Sequence, residues 1–444
     1  MPEDAASTQS ESRSPLRRAG RNFGKLLSGR GVAALLELLS IALVARTLTP
    51  DLLGYIVLTQ SYVLVVRGLL NFKLYEVLVR FGVPLLEGGD KNGFRELLRL
   101  SLFIDFASCF IAMVIAIAAA PLVGKILGWD ADLPWLTMIY STSLLTYGFG
   151  TAKGVLRIFD RYNTLSIQLM VGPVLRLAGI LVVMAIRPDV FSYVIALTLA
   201  TAIGNAVLIE RGWNELKRQT GAVSFKGFSL RGWNKQFPGL KGFIGIVYWQ
   251  SNIDLLPKQI GTLLAGTLLG PAGAGYLRLA TETTKILSKP GSLLRQVLFP
   301  DMVRMWVRQS SIFGSLLSRA LVLSALFGAL FTVASLFGGK WVFGTALGDD
   351  YTKAGPLLTL LLIAATLELL ATVMRSAGYA MGHAGKILRL HLVSAVIYLA
   401  AFVLLTPMTG LLGPGLASCV AAVVPLAGIG LLVLGSMRRV RLGT

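Results

Sequence analysis

ARTLTPDLLGY (Ala45 to Tyr55) and AGTLLGPAGAGY (Ala265 to Tyr276) each close an apolar segment, and their likeness decides the fold. Pro50, Gly54 and Tyr55 of the first fall on Pro271, Gly275 and Tyr276 of the second at a constant offset of 221. A second match puts Lys153 on Arg375 and Arg161 on His383 at an offset of 222. Two matches at half the length of a 444-residue chain predict one plan used twice.

The repeated plan is a set of membrane helices. The chain is 55% hydrophobic and only 14% charged, with a mean hydropathy of +0.70, which an ordinary soluble core does not explain. Apolar runs of spanning length centre near Leu39, Val63, Met113, Ser143, Ile180, Leu199, Ile260, Thr284, Leu326, Ala364, Val396 and Val424. These twelve predict an all-α membrane protein of two pseudo-symmetric six-helix bundles around a central cavity. An even number of spans per half gives the halves one orientation, related by an axis along the membrane normal.

The basic residues orient the chain. With twelve spans, the termini and even-numbered connections carry 31 of the 42 Lys and Arg, the odd-numbered connections 5, and the spans 6. The positive-inside rule then places both termini in the cytoplasm. The net charge of +20 is thereby a matter of topology and contact with anionic membrane lipids, and no nucleic-acid partner follows from it. The expected organisation is a disordered tail and basic interfacial helix over 1–30, bundles over 31–211 and 242–437, an amphipathic cytoplasmic linker over 212–241 and a basic tail over 438–444. The connection from Arg211 to Lys241 interleaves Trp213, Phe225, Phe228, Trp233 and Phe237 with seven cations.

Several chemistries find no support. Cys109 and Cys419 fall within spans, so packing and not a disulfide is expected of them. His383 and His391 have no Cys or carboxylate at ligand spacing, so no metal and no cofactor is expected. A GxxxxGK[ST] phosphate loop is absent. Asp130 and Asp132 form a carboxylate pair of the kind membrane glycosyltransferases use, but their connection is short and no external connection is long enough for an extramembrane catalytic domain. The chain is expected not to be an enzyme.

The ionisable residues at membrane depth are the functional candidates, because burying them is costly. Arg278, Glu282, Lys285 and Lys289 recur at spacings of 4, 3 and 4, which puts them within roughly 60° of one helix face. Span 7 adds Asp254 and Lys258, an i, i+4 pair with Pro257 between. Spans 7 and 8 thus hold four cations against two carboxylates, a surplus that suits a diphosphate better than a cationic drug. Arg67 and Arg176 are the cations at depth in the first half, each with lumen lining or snorkelling as alternatives. Glu37, Asp105, Asp254, Glu282 and Glu368 are the carboxylates able to carry a coupling H⁺ or Na⁺, with pairing to a neighbouring cation as the alternative for each.

With twelve spans in two halves, a basic lead-in, LTPDLLGYIVLTQ after span 1 and GVLRIFDRYNTLS (Gly154 to Ser166) between spans 4 and 5, the chain resembles the polysaccharide-biosynthesis transporters. These are the O-antigen flippases (Wzx-like) of the multidrug, oligosaccharidyl-lipid and polysaccharide exporter superfamily. The resemblance runs from about Arg21 to Arg438. It implies a bacterial inner-membrane protein that moves an oligosaccharide linked to undecaprenyl diphosphate by alternating access, driven by an ion gradient. The cation-lined lumen of such a protein would here fall to Lys258, Arg278, Lys285 and Arg176. The rivals are a cation-coupled multidrug exporter of the same architecture, which needs a carboxylate-rich lumen, and a membrane glycosyltransferase or glycan polymerase, which needs Asp130 or Asp132.

Overall fold

The structure, a computed structural model, describes residues 15–221, 233–308 and 312–442. The expected disordered tail, and Phe225 and Phe228 of the linker, lie outside the described residues. The described residues are almost wholly helical: α1 Pro15–Thr47, α2 Pro50–Leu69, α3 Lys91–Leu127, α4 Asp132–Ser141, α5 Gly150–Ile158, α6 Tyr162–Ile186, α7 Val190–Thr220, α8 Leu240–Val307, α9 Ile312–Leu347, α10 Ala354–Ala380, α11 Ala384–Thr409 and α12 Gly413–Leu442. The basic lead-in continues into span 1 as one helix, α1. A short helix, Leu74–Val77 continuing through a π-turn at Leu78–Gly82 to Val83–Glu87, lies between α2 and α3.

The element plan repeats along the chain. Gly270, at φ 75°, divides α8 into arms 240–269 and 271–307, and Pro271 opens the second arm as Pro50 opens α2. Segments beginning at Pro50, Lys91, Asp132, Tyr162 and Val190 recur at Pro271, Ile312, Ala354, Ala384 and Gly413, offsets of 221, 221, 222, 222 and 223. Counting α4 with α5 as one interrupted crossing and each arm of α8 as one gives the twelve expected crossings among the described residues. By length and hydropathy eight stretches qualify to cross a membrane, and one of them, Ala384–Arg438, takes in both α11 and α12.

The chain divides into two compact units. The first is formed by residues 1–40, 66–122 and 134–250. At one of its ends the short helix packs with the start of α3, α5 and the end of α7 around Leu74, Leu78, Phe94, Leu97, Val155 and Leu216, and Phe237 and Leu240 close this core. Cations lie over aromatic rings here: Lys153 and Arg157 at 4.7 and 4.4 Å from the Tyr75 centroid, Arg80 at 4.6 Å from that of Phe243. Arg161 of the GVLRIFDRYNTLS segment pairs with the buried Glu215 at 2.9 Å. A Cβ on Gly154 would stand 3.2 Å from the Tyr75 backbone, so glycine lets α5 approach the short helix.

The second unit is formed by residues 41–65, 123–133 and 251–444, with Met302, Phe313, Val373, Ile387, Ile429 and Val433 in one core. Inside it the two repeated corners pack on each other. A Cβ on Gly54 would overlap the Pro271 carbonyl, and one on Gly275 would stand 2.8 Å from that of Pro50. Asp51 Oδ1 accepts from the Ala272 amide at 3.2 Å, filling a donor that the start of the second arm leaves open. Tyr55 donates to the Asp130 carboxylate, Tyr276 to the Asp350 carbonyl at 3.0 Å and Tyr351 to the Leu48 carbonyl at 2.9 Å. The motif that marks the duplication in the sequence is thus its own packing partner.

Candidate functional site

In the second unit the predicted stripe is a shared ion pair. Arg278, Glu282 and Lys285 stand one turn apart on the second arm of α8, so the helical repeat alone brings them together. Glu282, 6% exposed, accepts from Arg278 Nη2 at 3.0 Å and from Lys285 Nζ at 2.6 Å. The side chains of Lys289 and Asp254 lie outside the described residues, and Lys258 is exposed on the first arm.

The first unit builds a different arrangement, around an interruption of span 4. After α4 the chain tightens into a 3-10 turn at Thr142–Tyr147, leaves helical geometry at Gly148 and Phe149, and resumes as α5. The restart leaves amides open at the N-terminus of α5. Asp105 of α3 supplies the acceptor: its Oδ2 takes the Thr151 amide at 2.6 Å and the Thr151 hydroxyl at 2.7 Å. This is a helix cap contributed by another helix. Gly150 makes room for it, since a Cβ there would stand 2.8 Å from Asp105 Oδ1.

Arg67 of α2 stacks on the broken segment. Its guanidinium carbon lies 4.0 Å from the Tyr147 ring centroid and 5.4 Å from that of Phe149. Arg176 of α6 is near enough to Tyr147 to act on it electrostatically, and its buried Nε has no hydrogen-bond partner among the described residues. The Arg67 side chain makes no hydrogen bond and no ion pair among the described residues. It lines a pocket with Asn71, Asp105, Ser108 and Tyr147, walled by Leu70, Phe72, Cys109, Ala112 and Leu144.

The structure therefore brings Arg67, Arg176 and Asp105 to one region of the first unit and Arg278, Glu282 and Lys285 to one region of the second. Glu37 is half-buried on α1 without a hydrogen bond or ion pair among the described residues, and Glu368 is exposed on α10. Among the described residues no cluster of His, Cys, Asp and Glu could hold a metal. Sequence reasoning missed Tyr147, Phe149 and Thr151. Their signal was TYGFGT (Thr146 to Thr151), two glycines inside an apolar span, where an interruption of the helix is the natural expectation.

No protein-family model matches the chain. It is 28% identical over 342 residues to the inner membrane protein YghQ of Escherichia coli (strain K12), which covers 76% of this chain and 95% of that protein. Its fold is that of a multidrug resistance MATE family transporter of the MOP superfamily, with a TM-score of 0.74 at 14% identity over 92% of this chain and 96% of that one. It is also that of the lipid II flippase MurJ, with a TM-score of 0.68 at 11% identity over 94% and 90% of the two chains. The chain is thus a helical membrane protein with the fold of the MOP superfamily transporters, and none of these similar proteins is described as an enzyme.

Proposed function

We propose that the protein is a flippase that moves an oligosaccharide linked to undecaprenyl diphosphate across the bacterial inner membrane by alternating access, drawing on an H⁺ or Na⁺ gradient. The observation that supports this reading is a pair of cations, Arg278 and Lys285, held at membrane depth around one buried carboxylate. Glu282 is shared by Arg278 and Lys285, and Arg67 has no acid partner among the described residues. A multidrug exporter selects cations and needs a carboxylate-rich lumen. A diphosphate brings its own negative charge and completes such a site, since buried charge is tolerated when it is paired and hydrogen-bonded. Moving several sugars across about 30 Å of hydrocarbon also requires a polar path, while the prenyl chain stays in lipid.

The test is leaflet-resolved transport of a labelled undecaprenyl-diphosphate oligosaccharide in proteoliposomes. The native protein is compared with Arg67→Gln and with the combined Arg278→Gln, Glu282→Gln, Lys285→Gln variant, which removes both cations without leaving the buried carboxylate behind. Native flipping, reduced at least tenfold in either variant, is the expected result. Flipping of no polyprenyl glycan, together with extrusion of a cationic dye, would instead establish a drug exporter.

A further inference from the structure

The two units are built on one plan but do not carry charge alike. At one end of the second unit the close of α8, the starts of α9 and α11 and the closes of α10 and α12 gather around the core of Met302, Phe313, Val373, Ile387 and Val433. Arg304, Arg308, Arg319, Lys386, Arg389 and Arg438 stand exposed on these segments. Asp301 is the one carboxylate that the sequence sets beside them: none occurs from Met302 to Gly348 or from Leu369 to Thr444.

The corresponding end of the first unit mixes both signs. At the offsets that relate the repeated segments, Glu96, Asp160, Glu210 and Glu215 fall on Leu317, Gly382, Val433 and Arg438. The correspondence holds in the backbone, where Asp160 (φ 54°) and Gly382 (φ 83°) both take the left-handed conformation at the turn between helices. Where Arg161 pairs with Glu215 at 2.9 Å, its counterpart His383 meets the Ser436 hydroxyl at 2.7 Å. Membrane orientation does not demand this loss of acids, because the positive-inside rule counts Lys and Arg and is nearly blind to Asp and Glu. Cations gathered without carboxylates repel one another and raise a positive field that draws in anions.

We infer that this end of the second unit docks anionic phospholipid headgroups, and does so in preference to the corresponding end of the first. Val307, Ile312 and Leu388 are exposed among the cations. A lipid answers both features, with its headgroup on the cations and its acyl chains on the apolar side chains and the stems of Arg and Lys. An acidic soluble protein answers only the first. The net charge of the whole chain leads one to expect lipid contact spread over both halves; the loss of acids concentrates it in one unit. The inference holds for any cargo and does not rest on the flippase reading.

The test is native mass spectrometry of the full-length protein in detergent with equal amounts of phosphatidylglycerol and phosphatidylcholine. One variant combines Arg319→Gln, Lys386→Gln, Arg389→Gln and Arg438→Gln; another combines Lys91→Gln, Arg211→Gln, Lys217→Gln and Arg218→Gln in the first unit. All eight residues are exposed, and each variant loses four positive charges, so the pair separates place from net charge. Thermal unfolding establishes that both are folded. Native protein is expected to retain phosphatidylglycerol about tenfold over phosphatidylcholine, the second-unit variant to lose that preference and the first-unit variant to keep it. Equal retention of the two lipids by native protein, or equal loss in the two variants, overturns the inference. So does a preference left intact in the second-unit variant; binding of a polyglutamate peptide by native protein and not by that variant would then give the surface to an acidic protein segment.

Discussion

Glu282 and Asp105 are both carboxylates at membrane depth, and the structure gives them different work. Glu282 pairs with two cations on its own helix, so its replacement removes two contacts at once. Glu282→Gln is expected to lower the thermal unfolding temperature in detergent, at a cost of up to about 3 kcal/mol, and by more than Arg278→Gln or Lys285→Gln alone. A larger effect from Lys285→Gln, the more exposed partner, would contradict the shared pair. Asp105 closes the amides of an interrupted helix, so Asp105→Ala should cost about 1–2 kcal/mol and Asp105→Asn less. Asp105→Ala and Thr151→Val should be non-additive in a double-mutant cycle, since both remove the hydroxyl contact while only the first also removes the amide contact.

At the scale of elements, the corner where α1 meets α2 depends on glycine because its neighbour is backbone, which no rotamer change can move aside. Gly54→Ala should lower the unfolding temperature by more than Gly275→Ala, since the overlap with Pro271 is the deeper of the two, and the reverse order would contradict the packing. Asp189, in the turn between α6 and α7, caps α7. The Ser192 amide first, then the Ser192 hydroxyl and Arg187, hold its carboxyl below the usual carboxylate range, outweighing the opposing effect of burial. A depressed value means that the cap contributes above the ordinary carboxylate value and is lost as pH falls through the folded one. The stability gap between native protein and Asp189→Ala should therefore be about 1 kcal/mol at neutral pH and should close in acid. A gap that widens on acidification would reverse the assignment.

For the whole molecule, the proposed flippase should slow at least tenfold when an ionophore collapses the H⁺ or Na⁺ gradient across the proteoliposome membrane. Undiminished flipping would remove ion coupling while leaving the substrate in place. What the sequence by itself determined is the class of the protein, the twelve crossings and the two-fold plan. Transfer free energy adds up residue by residue along a segment, so hydropathy finds spans without knowledge of their neighbours. The pairing of Arg278, Glu282 and Lys285 was legible for the same reason, because contacts at spacings of three and four are fixed by the helix itself. Only the tertiary structure decided that Asp105 meets Thr151, 46 residues away, and that Arg67 lies over the Tyr147 ring. Such contacts depend on how each helix is rotated about its axis and on where span 4 is interrupted. Composition and periodicity fix neither, because an apolar helix surrounded by lipid and by other apolar helices carries almost no moment to orient it.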